Sequence, residues 1–276
     1  MTPGAVRISR RRLLDLVSAS LLAVGGAGSV LSSSKPAAAQ PSKADVLKLL
    51  TTIDDRQRNT GDFRSTVYIE QKQKDKADVV YQATVYRRGR DQKFMLLFDK
   101  PKASQGQGYL RIDKNLWFYD PSIGRWERRT ERERIAGTNS RRSDLDESRL
   151  AEEYDPSYLG EDKLGAYQAI KLKLRANPGV DSAFPVIELW LDKESSNVLE
   201  RREFALSGKL IRTSYYPKWK KAFSESKRAD VWYPEELRQF DEIEKANQTL
   251  IVTKEVDLRP LEDSLFTKAW LEAKSR

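Results

Sequence analysis

Two hydrophobic periods divide the chain near residue 60. Before it, Val46, Leu49, Leu50 and Ile53 recur at i, i+3, i+4 and i+7, one face of a helix. This spacing predicts a helix over residues 44–58, capped by Ser42 and left at Gly61. After it the period is two. Residues 63–71 and 79–88 read as antiparallel partners across a polar turn. Residues 93–99 form a dense apolar strand, with Phe94, Leu96 and Phe98 on one side and Met95 and Leu97 on the other. Strands follow at 107–113 and 115–120. Asp120-Pro121-Ser122-Ile123-Gly124 is a turn leading into 125–129. Further on, Ile170, Leu172 and Leu174 alternate with Lys171, Lys173 and Arg175. Ile187, Leu189 and Leu191 alternate with Glu188, Trp190 and Asp192, and Leu250, Val252, Val256 and Leu258 share one face of a last long strand. Helices are predicted at 144–154 and, briefly, at 266–271. The whole predicts a mainly β domain with a few helices, built on one antiparallel sheet that is strongly curved or closed.

The first 39 residues follow neither period. Arg7, Arg10, Arg11 and Arg12 precede a weakly apolar stretch, and Ala37-Ala38-Ala39 fits a small-x-small cleavage rule. Residues 1–39 are therefore read as an export signal, and residues 40–276 as a single exported domain in the periplasm. Ser9-Arg10-Arg11-Arg12-Leu13-Leu14 resembles a twin-arginine signal, although Asp15 departs from it; a Sec signal is the alternative route. The formal charge of the 276 residues is +9, but residues 1–39 hold five basic groups and one acid. Residues 40–276 thus carry 45 basic against 40 acidic groups, net +5. That mild excess in an exported chain does not point to nucleic acid.

Candidate chemistry is sparse. The chain has no Cys and no His. Disulfides, thiolate nucleophiles and imidazole relays are therefore excluded, and no metal-ligand spacing is present. No catalytic residue, cofactor or metal is expected.

Several segments together resemble the LolA-like outer-membrane lipoprotein-sorting family. They are Phe94-Met95-Leu96-Leu97-Phe98, Gly108-Tyr109-Leu110-Arg111-Ile112 and Asn115-Leu116-Trp117-Phe118-Tyr119-Asp120-Pro121, then Ile135-Ala136-Gly137-Thr138 leading to Ser143-Asp144-Leu145. The second half adds Trp232-Tyr233-Pro234, Thr249-Leu250-Ile251-Val252 and Leu265-Phe266-Thr267. The resemblance spans residues 63–271. It implies a half-open antiparallel β-barrel with a helical lid over an apolar cavity. It also implies carriage of lipoproteins or other lipids through the periplasm. Residues 132–149 are more charged than that pattern, and no cargo-contacting arginine is carried over.

Read this way, the lipid-cavity candidates are Phe94, Leu96, Phe98, Leu110, Ile112, Leu116, Phe118, Ile170, Leu172, Leu174, Ile187, Leu189 and Leu191. The competing reading makes them ordinary core, and a one-residue register slip would invert any strand's assignment. Membrane or partner contacts are assigned to Lys218, Trp219, Lys220 and Lys221, where rings and lysines mix beside Pro217. Arg141 and Arg142 join them as adjacent cations with no acid between. Expected partners are lipid or lipoprotein acyl chains, an inner-membrane transporter and an outer-membrane acceptor, with the chain itself a monomer. The first alternative is a docking subunit of a lipid-exporting transporter. The second is an envelope glycan hydrolase using Glu188 with Glu200, or Asp144 with Glu147.

Overall fold

The computed structural model describes residues 40–112, 115–130 and 132–275. The export-signal reading falls on residues 1–39 and lies outside them. Helix α1 (Lys43–Gln57) begins where the sequence places its cap. The Ser42 amide donates to the Asp45 carboxylate at 2.9 Å, and the Asp45 amide donates back to Ser42 Oγ at 3.2 Å. This closes a capping box. The face carrying Val46, Leu50 and Ile53 is buried.

Among the described residues thirteen strands follow, and all join one antiparallel sheet. The first six are β1 (Asp62–Lys72), β2 (Val79–Arg88), β3 (Lys93–Lys100), β4 (Gly108–Ile112), β5 (Asn115–Asp120) and β6 (Arg125–Arg129). The other seven are β7 (Tyr154–Leu164), β8 (Tyr167–Ala176), β9 (Val186–Asp192), β10 (Val198–Phe204), β11 (Leu210–Ser224), β12 (Ala229–Asp241) and β13 (Gln248–Asp257). Each group is a meander of hairpins, and the pairing of β1 with β13 joins the two groups. The sheet is open: β6 forms one edge and β7 the other.

That order has a direct consequence. The connection from β6 to β7, residues 130–153, must pass from one edge of the sheet to the other. Thirteen strands laid flat would span roughly 58 Å at about 4.8 Å per strand. The connection instead crosses one face, and the sheet bends around it. Val85 of β2 and Leu189 of β9 border the same small cavity although six pairings separate their strands. We call residues 132–153 the crossing segment and the face beneath it the inner face.

Apolar side chains of the inner face fall into two groups. Phe94, Leu96, Phe98 and Leu116 pack with Val67, Val85, Leu237 and Ile251, and the crossing segment adds Ile135 and Leu145. Leu172, Leu174, Ile187, Leu189 and Leu191 pack with α1 and with Leu150. Tyr216 of β11 touches both groups.

Three expectations need correction. Leu110 and Ile112 were grouped with Phe94 and Leu96, but Leu110 pairs with Met95 and Trp117, so both belong to the outer face. The residues of β4 that reach the inner face are Tyr109 and Arg111. Tyr109 extends an aromatic row of Tyr81, Phe98, Tyr109 and Phe118, with successive centroids 5.6, 6.3 and 4.9 Å apart. In β13 Leu250 and Val252 do share a face, but the face turned inward carries Thr249, Ile251 and Thr253, and Leu258 lies past the end of the strand. The helix expected over 144–154 is reduced to the single turn α2 (Leu150–Glu153), after a 3-10 turn at Arg142–Asp144. Asp144 and Ser148 direct their side chains to Arg212 and Asp54 instead of along a helix, the competition that disfavours Asp and Ser inside helices.

The outer face of β2 to β5 carries the C-terminal elements. Leu265, Phe266 and Leu271 pack on Tyr86, Met95, Leu97 and Leu110. Helix α3 (Lys268–Lys274) sits close to β4, because a Cβ on Gly108 would lie 2.8 Å from both Leu271 Cδ1 and the Leu96 carbonyl oxygen. Arg88 fastens this region. Its Nε donates to Asp62 at 2.6 Å and its Nη2 donates to the Leu261 carbonyl at 2.6 Å. Among the described residues no helix is long and apolar enough to cross a membrane.

Candidate functional site

Under the crossing segment lies a cavity of about 150 Å³. Ligand pockets for drug-sized molecules run to about 300–1,000 Å³. The cavity falls below that range, and a long acyl chain would enter only if the segment moved. Its walls come from β1, β2 and β9 to β13, from α1 and α2, and from residues 142–150. A second hollow of about 540 Å³ lies between the start of β1, the β11–β12 hairpin and the chain after β13. It opens beside Phe223, which is 60% exposed.

The walls of the crossed cavity mix aromatic and charged groups. Tyr216 and Trp219 stack with centroids 5.9 Å apart, and Trp219 Nε1 donates to the Val198 carbonyl at 2.9 Å. Trp219, assigned from the sequence to a membrane surface, thus faces the cavity. Its neighbours behave differently. Lys218 and Lys220 are exposed and meet Glu235 at 2.6 and 2.8 Å, and Lys221 meets Asp230 at 2.6 Å. Lys254 adds a third ammonium to Glu235 at 2.8 Å, and these bonds hold its carboxyl down to about 2. Lysine stems, not the protein interior, cover that carboxylate.

A second polar system fastens the crossing segment. Arg212 of β11 is 3% exposed. Its Nη1 and Nη2 donate to Asp144 at 2.6 and 2.8 Å, and Nη1 also donates to the Asn139 carbonyl at 2.7 Å. The same guanidinium pairs with Glu203 of β10, through Nη2 at 2.8 Å and through Nε. Arg201 Nε lies 2.8 Å from Glu203. Further along, Arg134 meets Asp241 at 2.7 Å, Ser140 Oγ donates to Gln239 at 2.9 Å, and the Asn139 amide donates to Thr249 Oγ1 at 2.9 Å. At the far end Asp54 of α1 accepts from Ser148 Oγ at 2.5 Å and from the Ala151 amide at 2.8 Å.

Arg142 was assigned to a docking surface. It is 7% exposed and pairs with Asp146, and Arg141 is half-buried with its amide donating to Asp144 at 2.7 Å. Both arginines belong to the segment's inward side, which corrects that assignment. Among the apolar candidates, Leu189 borders the cavity itself. The others of the inner face lie in the flanking clusters, with Phe118 and Ile170 at their margins. Three of the four acids nominated for hydrolysis are engaged elsewhere: Glu188 with Lys171 at 2.9 Å, Glu200 with Arg202 at 2.6 Å, and Asp144 with Arg212. Among the described residues no group of three or more acids is placed to hold a metal ion.

The sequence reading missed Arg87, Arg201 and Arg212. A signal was present for Arg87, since strict alternation puts it on the same face as Ala83 and Val85. A charge on the buried face of a strand is uncommon enough to single out.

The charges predict an acid response. Burial works against the Asp144 carboxylate, but the pull of Arg212 outweighs it and holds the group below the ordinary range. Asp241, also opposed by burial, is lowered by backbone amides and Arg134. A folded-state value below the unfolded one means stabilisation present above about pH 4 and lost as pH falls further. Hydrogen exchange over residues 139–149, corrected for intrinsic rates, is expected to accelerate below pH 4 before the sheet opens. Asp144→Asn should remove most of that pH dependence. Acceleration confined to the sheet would contradict the assignment.

A family model for DUF1329-like uncharacterized proteins matches residues 90–273, two thirds of the chain. The chain belongs to that family. Solved structures agree on the architecture. A LolA superfamily protein from Nitrosomonas europaea aligns with a TM-score of 0.69 at 20% identity, covering 81% of this chain and 97% of its own. A domain described as an outer membrane lipoprotein-sorting protein, from Vibrio parahaemolyticus, gives 0.71 at 19% identity, covering 82% and 97%. A DUF1329 family protein from Desulfovibrio piger gives 0.71 at 16% identity, also covering 82% and 97%. No curated protein matches by sequence. This DUF1329-like chain therefore has the LolA-like fold, an open and mainly β sheet, as the sequence resemblance implied.

Proposed function

We propose that this chain is a non-catalytic carrier in the periplasm. It takes up lipoprotein acyl chains or another lipid beneath the crossing segment and moves them between membranes. The observation that carries the reading is the segment itself. Residues 132–153 roof a face whose two apolar clusters flank a central cavity, and their hold on the sheet includes side-chain hydrogen bonds and ion pairs. An acyl chain gains about 0.8 kcal/mol for each CH₂ removed from water. Lifting the segment would expose the apolar surface on which that gain is realised. Lipoprotein-sorting neighbours in fold support the same reading. Partners at the donor and acceptor membranes, and export by the N-terminal segment, belong to this proposal.

The test uses the full chain, expressed with its export segment and purified from the cell envelope. Native mass spectrometry is expected to show a stoichiometric lipid or acylated peptide, identified after organic extraction. Because the chain has no cysteine, Ser143→Cys on the crossing segment offers a unique labelling site. An environment-sensitive dye there should change emission when a fluorescent fatty acid is added. An empty protein with no dye response would remove the carrier reading.

A further inference from the structure

Arg87 of β2 has an unusual place. It is 7% exposed and lies on the wall of the cavity. Its guanidinium carbon sits 3.6 Å from the centroid of the Phe63 ring. Its Nε is buried without a hydrogen-bond partner, and the guanidinium forms no ion pair among the described residues. Glu147 of the crossing segment, also 7% exposed, acts on it only as a more distant charge. Burial pushes the Arg87 guanidinium down to about 10 despite that charge. A buried cation left this way is costly, and it persists where another function holds it.

The sheet around it repeats the theme. Arg201 and Arg212 stand on the same face and share one sheet acid, Glu203. Further negative charge facing these strand arginines comes from Asp144, Glu147 and Glu153, all on the crossing segment. Lifting the segment would remove those carboxylates and leave the strand arginines behind.

We propose that the cavity is the receptor for the anionic head of an amphiphile, with Arg87 as its principal contact, and that Asp144 and Glu147 hold the head's place while the segment is down. This rests on the carrier reading and names its ligand class: a single oxyanion, phosphate or carboxylate, joined to acyl chain. Phe63 and Trp219 border the same cavity and supply apolar wall next to the cation. The segment's acids compete with the ligand's head, so binding and segment release are two sides of one exchange.

The test compares three probes on the full chain: lauroyl lysophosphatidate, monolauroyl glycerol and glycerol phosphate. Wild type is expected to prefer the lysophosphatidate over the neutral lipid by at least tenfold. Arg87→Met should reduce that ratio at least tenfold, and Arg87→Lys should restore part of it. Glu147→Gln should raise lysophosphatidate affinity several-fold by removing the competing charge, and it serves as the test if Arg87→Met does not fold. A general structural role for Arg87 would shift both lipids equally and leave the ratio unchanged, which overturns the proposal. Equal binding of both lipids by wild type overturns it as well, while leaving the carrier reading standing. Failure of both lipids to bind removes the carrier reading itself. Glycerol phosphate binding as tightly as the lysophosphatidate would make the site one for a free phosphate ester and overturn the amphiphile assignment.

Discussion

Arg212→Ala is expected to lower stability by about 3–5 kcal/mol, the range for removing one partner from a buried ion pair. For a domain of this size that corresponds to a fall in Tm of about 6–20 °C. The expectation rests on what stays behind. Asp144 and Glu203 are both buried, and both take bonds from this one guanidinium. Glu203 retains Arg201 at 2.8 Å, but Asp144 loses its ion-pair partner, and the Asn139 carbonyl loses a donor. Asp144 is part of the crossing segment, so it can escape by lifting, whereas Glu203 is fixed in β10. The damage should therefore appear first as fast exchange over residues 139–149. Adding Asp144→Asn to Arg212→Met should recover at least half of the loss, because the carboxylate left unpaired loses its charge while Glu203 stays paired with Arg201. Thermal melts of the single and double variants decide it. A single variant within about 1 kcal/mol of wild type would mean that solvent reaches these groups.

Much of this fold could be read from the chain because its signals are local. The α1 cap, the β1–β2 hairpin and the β5–β6 turn are each set by residues within a few positions of one another. Register in β4 was not readable. Its residues alternate between Tyr109 with Arg111 and Leu110 with Ile112, and both faces of the strand are covered, one by aromatic rings and the other by the C-terminal helix. Alternation marks the in and out sides only where one face is wet. The crossing segment was hidden for another reason. Its path is dictated by the strand order, with β6 and β7 at opposite edges, and no stretch of residues 130–153 carries that information. Interleaved Arg and acids there looked like a solvated surface, because the partners that bury them, Arg212, Glu203 and Asp54, lie 60 to 100 positions away in sequence. The candidate site suffered most, since its decisive cation is one arginine in an otherwise ordinary strand.

Ile135→Ala should separate the crossing segment from the sheet that it covers. Ile135 is 1% exposed and anchors the segment among Phe98, Tyr109, Leu237 and Ile251. Two tyrosines hold the turn around it. The Ala136 amide donates to Tyr109 Oη at 3.3 Å, and Tyr81 Oη donates to the Ala136 carbonyl at 3.4 Å. Truncating a buried Ile costs about 2–5 kcal/mol. Much of that cost is avoidable if the segment lifts locally, since its ends stay tethered to β6 and β7 while the sheet keeps its pairing. A ligand that needs the open state binds more weakly in proportion to how rarely that state is populated. Weakening the closed state should therefore raise affinity for a fluorescent fatty acid by about tenfold or more, up to the limit where the open state dominates, with only part of the 2–5 kcal/mol appearing as lost thermal stability. Titration and melting on the same preparation measure both. Higher affinity with a small fall in Tm identifies the segment as the gate. Unchanged affinity with the full loss of stability would make Ile135 ordinary core, and entry would then have to be sought at the open edges of the sheet.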